Sequence, residues 1–479
     1  MIQTARPYPG FIGASHVSQA QQASQERTIN LFPEVQATEF GKNQAILIGT
    51  PGVTTWATLP TSPIRGSFEE QGRYFVAAGD TLYEVFSNTS AVPRGTLAYT
   101  DGVPVDFAGS GLAGGQLLIR ASRNAYVLSL DTNVLTLVRT GNTDAIGYLG
   151  GYFLALDATA TKFEWSELFD GTVWPALNFY VRTNRSDPWV TMHVMDERVV
   201  LLGSETSDTY WAGGVYPNIF QPLPGGTFET GIAASHSVAT VGGARVWLAQ
   251  SGDGLQGVVR SSGTAVENIS HHALQHAIAG YARVDDAIGQ SYQHEGHTFY
   301  LLTFPSARVT WAWDVAVPGV WCERGTWIAE DADYDYWHPT YHQQMFGLHL
   351  AGDRESGTIY RVSSQFFLDV GGRPIRRVRR APALSHNGRR IYYSYFALQV
   401  DAGVAPLGVT PLVELRVSDN SGKTFQSLGT RSAGKQGEFD AVCEWYGLGH
   451  ATDRVFEAVT AAAGPVRWIN ALMATRNAA

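Results

Sequence analysis

The stretch Gly72-Arg73-Tyr74-Phe75-Val76, followed closely by Thr81-Leu82-Tyr83-Glu84-Val85, decides the fold. Both runs are short and rich in aromatic and β-branched residues, and both are bounded by Gly or polar residues, which is typical of β-strands. Two such runs joined by a tight turn predict a β-hairpin.

The hairpin recurs along the chain. One matching residue per copy lies at positions 74, 117, 152, 199, 246, 299 and 346, so successive copies are 35 to 53 residues apart. A period in the forties with paired strands is typical of propeller blades. We therefore predict an all-β fold, a β-propeller with seven or eight blades. A β-sandwich or several small β domains is the alternative.

The composition fits a packed β protein. The 479 residues are 44% hydrophobic and 16% charged, and they include 51 Gly, 13 Trp, 21 Tyr and 22 Phe. The net charge of −9 argues against a chain that wraps DNA through its overall field, because phosphate binding requires clustered Lys and Arg.

The domain organisation follows from shifts in pattern. Residues 1–45 are polar and broken by prolines, which predicts an extended N-terminal arm with little fold of its own. Residues 46–400 are assigned to the propeller, with an inserted helix near 265–281 that Ser270 could cap. Residues 401–479 form a C-terminal β region, a candidate for closing the propeller.

Location and cofactors are suggested by what the sequence lacks. It shows neither the apolar core of a signal peptide nor a run of 18 apolar residues, so we expect no membrane anchor and folding in a cytoplasm. Cys322 and Cys443 are expected to be buried free thiols. No phosphate loop, nucleophile elbow or dinucleotide fingerprint is present, so we predict no enzyme and no cofactor.

Three polar groups could carry chemistry but have simpler interpretations. His272 and His276 have a zinc-compatible spacing without a third ligand, and Asp331, Asp333 and Asp335 are expected in a solvated or subunit-facing loop. An Asp-box-like turn is predicted to be structural, with polar side chains bonding its backbone. Its residues are Ser418, Asn420, Gly422, Thr424 and Phe425.

A dense basic cluster stands out in this acidic chain. It could be a solvated strand edge, pair with carboxylates of another blade or subunit, or contact DNA phosphates. As a candidate subunit interface it comprises Arg373, Arg376, Arg377, Arg379, Arg380, Arg389 and Arg390.

Distinctive segments span most of the chain. They are Arg27-Thr28-Ile29-Asn30-Leu31-Phe32-Pro33-Glu34, Gly296 to Pro305, Thr310-Trp311-Ala312-Trp313-Asp314, Trp321-Cys322-Glu323-Arg324, Gly352 to Tyr360, Pro374 to Arg380 and Gly449 to Phe456. Together they resemble the packaged-DNA stabilisation proteins of podoviruses, the tail-hub or nozzle family. The family-motif residues, expected to be structural, are Gly296, His297, Phe299, Tyr300, Trp311, Trp313, Trp321, Asp353, Arg354, Glu355 and Gly357.

The resemblance implies a virion protein of a short-tailed phage, assembled in the bacterial host cytoplasm. It implies a ring of identical subunits, a hexamer in family members, below the portal and its adaptor ring. Such a subunit closes the tail, retains the DNA, serves as a conduit in ejection, and carries needle or plug proteins and spikes or fibres. From the net charge we expect duplex DNA to pass without tight binding. The alternative is a propeller-type phage tail protein that binds or degrades glycans.

Overall fold

The chain was analysed as a computed structural model, which describes residues 5–20, 23–35, 45–215, 218–386 and 388–477. In these residues the fold is almost entirely β, and seven antiparallel blades are arranged around one axis. The predicted β-propeller is confirmed, and the number of blades is seven among the described residues.

Each blade has four principal strands. Blades 1 and 2 contain Ile64–Glu70, Arg73–Ala78, Thr81–Val85 and Ala91–Thr96, then Asp106–Gly109, Gln116–Ala121, Asn124–Ser129 and Leu135–Arg139. Blades 3 and 4 contain Ala145–Leu149, Tyr152–Asp157, Lys162–Trp165 and Phe179–Val181, then Trp189–Met195, Arg198–Gly203, Ser207–Val215 and Asn218–Pro222. Blade 5 contains Gly231–Ile232 and Ala239–Val241 on its inner side, then Ala244–Ser251, Gly254–Ser262 and Ala265–Asn268. Blade 6 contains Ile288–His294, His297–Phe304, Val309–Asp314 and Trp321–Ile328, with Asp333–Tyr336 paired to the last of these.

Blade 7 closes the ring with a strand from the start of the propeller. Its strands Pro339–Met345, Leu348–Asp353 and Thr358–Ser363 are completed by Gly52–Thr58. The propeller therefore spans residues 52–363, and the expectation that the C-terminal region closes it is wrong. Closure joins residues about three hundred positions apart, for which the local sequence carries no signal.

The repeat detected in the sequence marks the second strand of six blades, because that strand is buried on both sides between neighbouring blades. Tyr74, Leu117 and Val199, for example, are fully buried. The seventh position, Phe346, lies instead in the turn before Leu348–Asp353, with a φ of 55°. A strand is wrongly predicted there because Phe346 is apolar and follows the apolar Met345.

The C-terminal region is a β-sandwich that incorporates the N-terminal arm. Its first sheet contains Leu31–Val35, Ala45–Gly49, Arg467–Asn477, Ile391–Val400 and Val442–Tyr446, with the short strands Arg6–Pro7 and His450–Ala451 at its side. Its second sheet contains Gln25–Ile29, Arg377–Arg380, Asp453–Thr460, Leu412–Ser418 and Gln426–Ser432, with His16–Val17 and Leu384–Ser385. Phe396, Trp445, Phe456 and Trp468 fill the space between the two sheets.

The second sandwich sheet is continuous with blade 6. Strand Gln25–Ile29 lies between the last strand of blade 6 and Arg377–Arg380. Arg27 of this strand also donates from Nε to Oε1 of Glu323 at 3.0 Å. The sandwich therefore extends blade 6 outward and shares its hydrogen-bonded framework.

Two expected boundaries are wrong. Strand Ile391–Val400, assigned to the propeller, pairs with Val442–Tyr446 and Arg467–Asn477 in the sandwich. The sandwich begins at Arg377 and not at 401, because an alternating strand has the same pattern in a blade and in a sandwich. The arm, moreover, supplies strands to both sandwich sheets.

The inserted helix is shorter than predicted. It spans His272–Ala279, and the Nδ1 of His271, rather than Ser270, caps it by accepting from the Leu274 amide at 3.1 Å. Residues Ala265–Asn268 are the outer strand of blade 5. The buried face of the helix consists of Ala273, Leu274 and Ile278.

Candidate functional site

Two arginines of the basic cluster lie inside the molecule. Arg379 is fully buried and donates to main-chain oxygens of the arm: Nε to Phe11 at 2.6 Å, Nη1 to Ala14 at 2.9 Å and Nη2 to Gly10 at 2.7 Å. Arg377 is also buried, and a Cβ at Gly49 would lie 2.6 Å from its Nε. Strand Arg377–Arg380 sends both guanidiniums inward because residues two apart share a face.

The neighbouring arginines contact side chains of the same chain. Arg380 donates from Nε to Glu457 at 2.8 Å, and Arg416 donates to the other oxygen of Glu457 at 2.9 Å. Arg376 stacks over Trp327, with its Cζ 4.3 Å from the ring centroid. Burial excludes the expected contact with another subunit for Arg377 and Arg379. For Arg376 and Arg380, whose described partners belong to the same chain, the subunit interface stays a prediction.

The remaining three cluster residues face solvent. Arg373 lies in the connection between propeller and sandwich, and Arg389 and Arg390 precede strand Ile391–Val400. The described residues contain no carboxylate in ion-pair contact with any of the three. They stay candidates for contacts outside the chain.

The propeller axis holds a cavity of about 350 Å³, within the size range of small-molecule pockets. Every blade contributes to its wall, through residues that include Ser67, Asp106, Ile146, His193, His236, Gln290 and Tyr341. Tyr341 adopts a φ of 55° at a bulge in the inner strand of blade 7. Its amide donates to Gln290 Oε1 at 2.6 Å, and Ser67 donates to its carbonyl oxygen at 2.8 Å. Blades 6, 7 and 1 are thereby joined at the axis.

A side-chain bridge crosses this cavity. Asp106 and Arg120 belong to blade 2, His236 belongs to blade 5, and these two blades are not neighbours. Arg120 Nη2 lies 2.6 Å from Asp106 Oδ2 and 3.1 Å from His236 Nε2, and His236 Nδ1 lies 3.6 Å from Asp106 Oδ1. Burial would raise the pKa of Asp106, but the Arg120 and His236 contacts hold it well below its usual value. The bridge obstructs the axis.

The family-motif residues mostly build blades 6 and 7. Trp313 and Trp321 stack at 6.3 Å, Trp321 Nε1 donates to the Ile269 oxygen at 2.9 Å, and Trp311 Nε1 donates to the Tyr281 hydroxyl at 3.0 Å. His297 Nδ1 contacts Asp314 Oδ2 at 2.6 Å. Phe299 and Tyr300, on the same strand as His297, are buried. Gly296 forms the turn that precedes it, with a φ of 88°.

The second group of motif residues fastens the closing strand. Asp353 accepts hydrogen bonds from the Glu355 amide and the Tyr360 hydroxyl at 2.8 and 2.9 Å. Arg354 Nη1 donates to the Tyr341 hydroxyl at 3.2 Å. A Cβ at Gly357 would lie 2.5 Å from the Thr61 carbonyl oxygen. These contacts order the corner where residues 52–64 meet blade 7.

A buried basic cluster between blades 6 and 7 is not predicted by the sequence analysis. The Arg324 guanidinium lies 3.2 Å from the Trp337 ring centroid. Beside it, His342 Nδ1 lies 2.9 Å from His349 Nε2. Burial lowers the pKa of His349 to about 4 and that of His342 far below its usual value. The only sequence signal was the pair of histidines flanking the turn at Phe346.

The Asp-box-like turn lies in the sandwich and not in a propeller blade. The Gly422 amide donates to Ser418 Oγ at 2.9 Å, and the Thr424 amide donates to Asn420 Oδ1 at 3.0 Å. Phe425 covers Arg380, whose Cζ lies 4.5 Å from the ring centroid. The side chains hold the turn's own backbone.

The other candidate groups are dispersed. His272 and His276 are exposed on the helix, and Asp331 and Asp335 contact Arg308 at 3.1 and 3.4 Å. Both cysteines are buried free thiols, and burial raises the pKa of each to about 12. In the described ranges no three His, Cys, Asp or Glu side chains form a metal-binding group. No helix there is long and apolar enough to span a bilayer.

Fold and site define a seven-bladed propeller whose axis is bridged and whose blade 6 continues into a sandwich. A family model described as bacteriophage P22 Gp10, beta-propeller, matches residues 12–366, and the chain belongs to this family. The predicted resemblance to packaged-DNA stabilisation proteins is thereby confirmed, and with it a structural role in a phage. Most of the sandwich lies outside the matched residues. No curated protein matches the sequence.

Three solved structures show distant likenesses to this chain. The WD40 domain of Pan2 from Neurospora crassa is 10% identical, with 65% of this chain and 95% of that chain covered and a TM-score of 0.42. The exo-β-1,3-galactanase of Phanerochaete chrysosporium is 10% identical, covering 89% and 99%, with a TM-score of 0.27. PorZ of Porphyromonas gingivalis is 12% identical, covering 72% and 44%, with a TM-score of 0.33. These likenesses carry no argument about function.

Proposed function

We propose that the chain is a tail hub or nozzle subunit of a short-tailed phage. It assembles as a ring below the portal and adaptor, closes the DNA exit channel, stabilises the packaged DNA and forms a conduit for ejection. The observation that carries this proposal is the family match over residues 12–366.

The geometry of the axis supports a channel between subunits. A cavity of about 350 Å³ crossed by Asp106, Arg120 and His236 cannot admit a duplex, whose major groove alone is about 12 Å wide. DNA therefore passes beside the propellers, through a lumen that several copies enclose.

The charge of the chain supports retention by physical closure. With a net charge of −9, the ring presents a neutral or negative lumen. Each phosphate neutralised by Lys or Arg would add salt-dependent affinity, which opposes rapid sliding. Portal-adaptor, needle and spike or fibre proteins are the proposed neighbours of the ring in the virion tail.

A non-enzymatic role is part of the proposal. Glycoside hydrolysis uses a pair of carboxyl groups flanking the bond. Among the described residues that line the axial cavity, Asp106 is the single carboxylate, and Arg120 and His236 engage it. This arrangement favours a structural role over glycan degradation.

The test is a phage with a nonsense mutation in the gene for this chain. We expect particles that package DNA and then lose it, so that the genome becomes sensitive to DNase. Adding purified chain to freshly filled particles should restore protection, whereas heat-denatured chain should not. DNA-filled infectious particles without the chain, or purified virions that lack it, would overturn the proposal. Protection that is independent of the chain, combined with binding on a glycan array, would favour the glycan alternative.

A further inference from the structure

The outer side of the first sandwich sheet is aromatic where solvent would favour polar residues. Along strand Ile391–Val400, Tyr393 and Phe396 enter the core, while Tyr392 and Tyr395 point outward. An antiparallel sheet with one solvated side normally alternates apolar and polar residues. This strand carries aromatic residues on both sides.

We name this surface the tyrosine face and define it by Tyr392, Tyr395, Val442, Tyr446 and Leu472. Tyr446 is 67% exposed. An acidic side chain on this face, Glu444, accepts hydrogen bonds from the Tyr395 and Tyr446 hydroxyls at 2.6 and 2.8 Å, which holds both rings in place. The tyrosine face is therefore ordered before any partner binds.

The opposite sheet of the sandwich has the usual polar outer side. There Arg380 and Arg416 share Glu457 and stack on Phe425. Its charges are paired within the chain. The contrast shows that the aromatic character of the tyrosine face is not a general property of this sandwich.

Unpaired arginines border the tyrosine face. Tyr392 lies directly across from Arg476 in the strand register, and Arg389 and Arg390 immediately precede its strand. All three arginines are exposed and have no ion-pair partner among the described residues. Tyrosine and arginine are the residues enriched in protein–protein hot spots.

Exposed apolar residues also lie in and beside the outer strands of blades 3 and 4 and the connections that lead to them. We name this set of residues the blade rim and define it by Leu168, Phe169, Leu177, Val181 and Val215. Leu177 is 78% exposed and Val215 is 83% exposed. In the seven-blade order, blade 3 stands across the axis from the boundary of blades 6 and 7, where the sandwich is attached. The blade rim and the attachment of the sandwich therefore lie on opposite sides of the propeller axis.

The two regions also carry opposite charge. Residues 145–222, which form blades 3 and 4, contain nine acidic and four basic side chains. Residues 377–477, which form most of the sandwich, contain twelve basic and eight acidic side chains. Complementary charge selects the partner and its orientation, while apolar contact supplies most of the binding.

We propose that the tyrosine face of one copy of this chain packs against the blade rim of the next copy. Two different surfaces that meet head to tail form a heterologous interface, which closes into a ring when the rotation permits. The inference deepens the proposed function, because it names the surfaces that would build the tail ring.

The test uses one variant for each surface. Val442→Glu with Tyr446→Glu alters the tyrosine face, and Leu177→Glu with Val215→Glu alters the blade rim. The control is Val134→Glu, which changes a side chain 56% exposed on blade 2. Native mass spectrometry should show rings for the wild type and the control, and monomers for each surface variant. An equimolar mixture of the two surface variants should give a dimer and nothing larger, because one intact interface remains.

The mixture also checks folding, since only folded variants can form the dimer. A second pair, Arg389→Glu with Arg390→Glu, should weaken wild-type association at low salt without abolishing it. Rings that persist in either surface variant, a mixture that stays monomeric, or a wild type that is monomeric throughout would overturn the inference. In each of these cases, a chain that is still present in virions and still protects DNA would leave the proposed function standing.

Discussion

Replacement of Arg379 by Met tests whether a buried guanidinium holds the N-terminal arm. Met fills similar space but removes the donors that reach Gly10, Phe11 and Ala14, and it leaves Glu26 without its cation, which lies 2.9 Å away. Each lost hydrogen bond costs about 1 kcal/mol net. Removing one partner of a buried ion pair costs about 3–5 kcal/mol.

These costs do not simply add, because the arm can detach and hydrate its carbonyls. We therefore expect a loss of about 3–5 kcal/mol in the free energy of unfolding, the range for a broken buried pair. The assay is hydrogen exchange with mass spectrometry, in which peptides from residues 5–20 should lose protection, together with urea unfolding. Arg379→Lys should rescue only partly, because the three N–H donors of an ammonium share one nitrogen and cannot span the acceptors that three separate guanidinium nitrogens reach. Arg389→Met is the matched control on an exposed arginine. Unchanged protection of residues 5–20 in Arg379→Met would refute the role of Arg379 in holding the arm, which we call the arm clamp.

Three further predictions follow from the interior and the charge. Because the pKa of His349 is lowered to about 4 in the fold, the unfolded chain binds more protons below its ordinary value near 6.5. The free energy of unfolding should therefore fall as the pH drops from about 6.5 to 4. Urea unfolding at several pH values checks this, and the free energy of unfolding of His349→Gln should depend less on pH than that of the wild type. Gly357→Ala places a Cβ 2.5 Å from the Thr61 oxygen and should cost about 1–3 kcal/mol by overpacking. Thermal unfolding checks this, with Gly280→Ala as the control, because a Cβ at Gly280 would lie 3.4 Å from the Ala277 oxygen. Equal melting temperatures of the two variants would contradict the prediction. The purified chain should bind duplex DNA no tighter than about 10⁻⁴–10⁻⁶ M at physiological salt, as nonspecific binders do; tight filter binding with a steep salt slope would instead indicate a basic lumen.

The sequence was sufficient for the repeating part of the fold. Tyr74, Leu117 and Val199 lie in second strands that are buried between blades, so their surroundings repeat and their apolar pattern repeats with them. In blade 7 the repeat was assigned to Phe346, an aromatic residue in the turn before the second strand, and not to the second strand itself. The closing strand Gly52–Thr58 had no counterpart in the repeat, since its partner lies at the far end of the propeller.

The interaction sites were less predictable because their partners are remote in sequence. Arg379 looked like a surface charge until the arm carbonyls around it were known. The Asp106–His236 contact joins two blades across the axis, and neither residue stands in a motif. One signal was available for the sandwich: strand Ile391–Val400 opens Ile-Tyr-Tyr-Ser-Tyr-Phe, with aromatic residues on both sides, which departs from the apolar–polar alternation of a half-buried strand.

The shared sheet between blade 6 and the sandwich bears on whether a ring can close. A head-to-tail interface produces a closed ring only if every copy repeats the same rotation, and otherwise it produces open filaments. The angle between the blade rim and the tyrosine face is fixed by the continuous sheet and by the arm that Arg379 and Arg27 secure. If the sandwich swung on a flexible linker, successive copies would meet at different angles. On this reasoning the arm clamp is an assembly device as well as a stabilising one, and Arg379→Met should give a spread of oligomer sizes in native mass spectrometry at temperatures where the propeller is still folded.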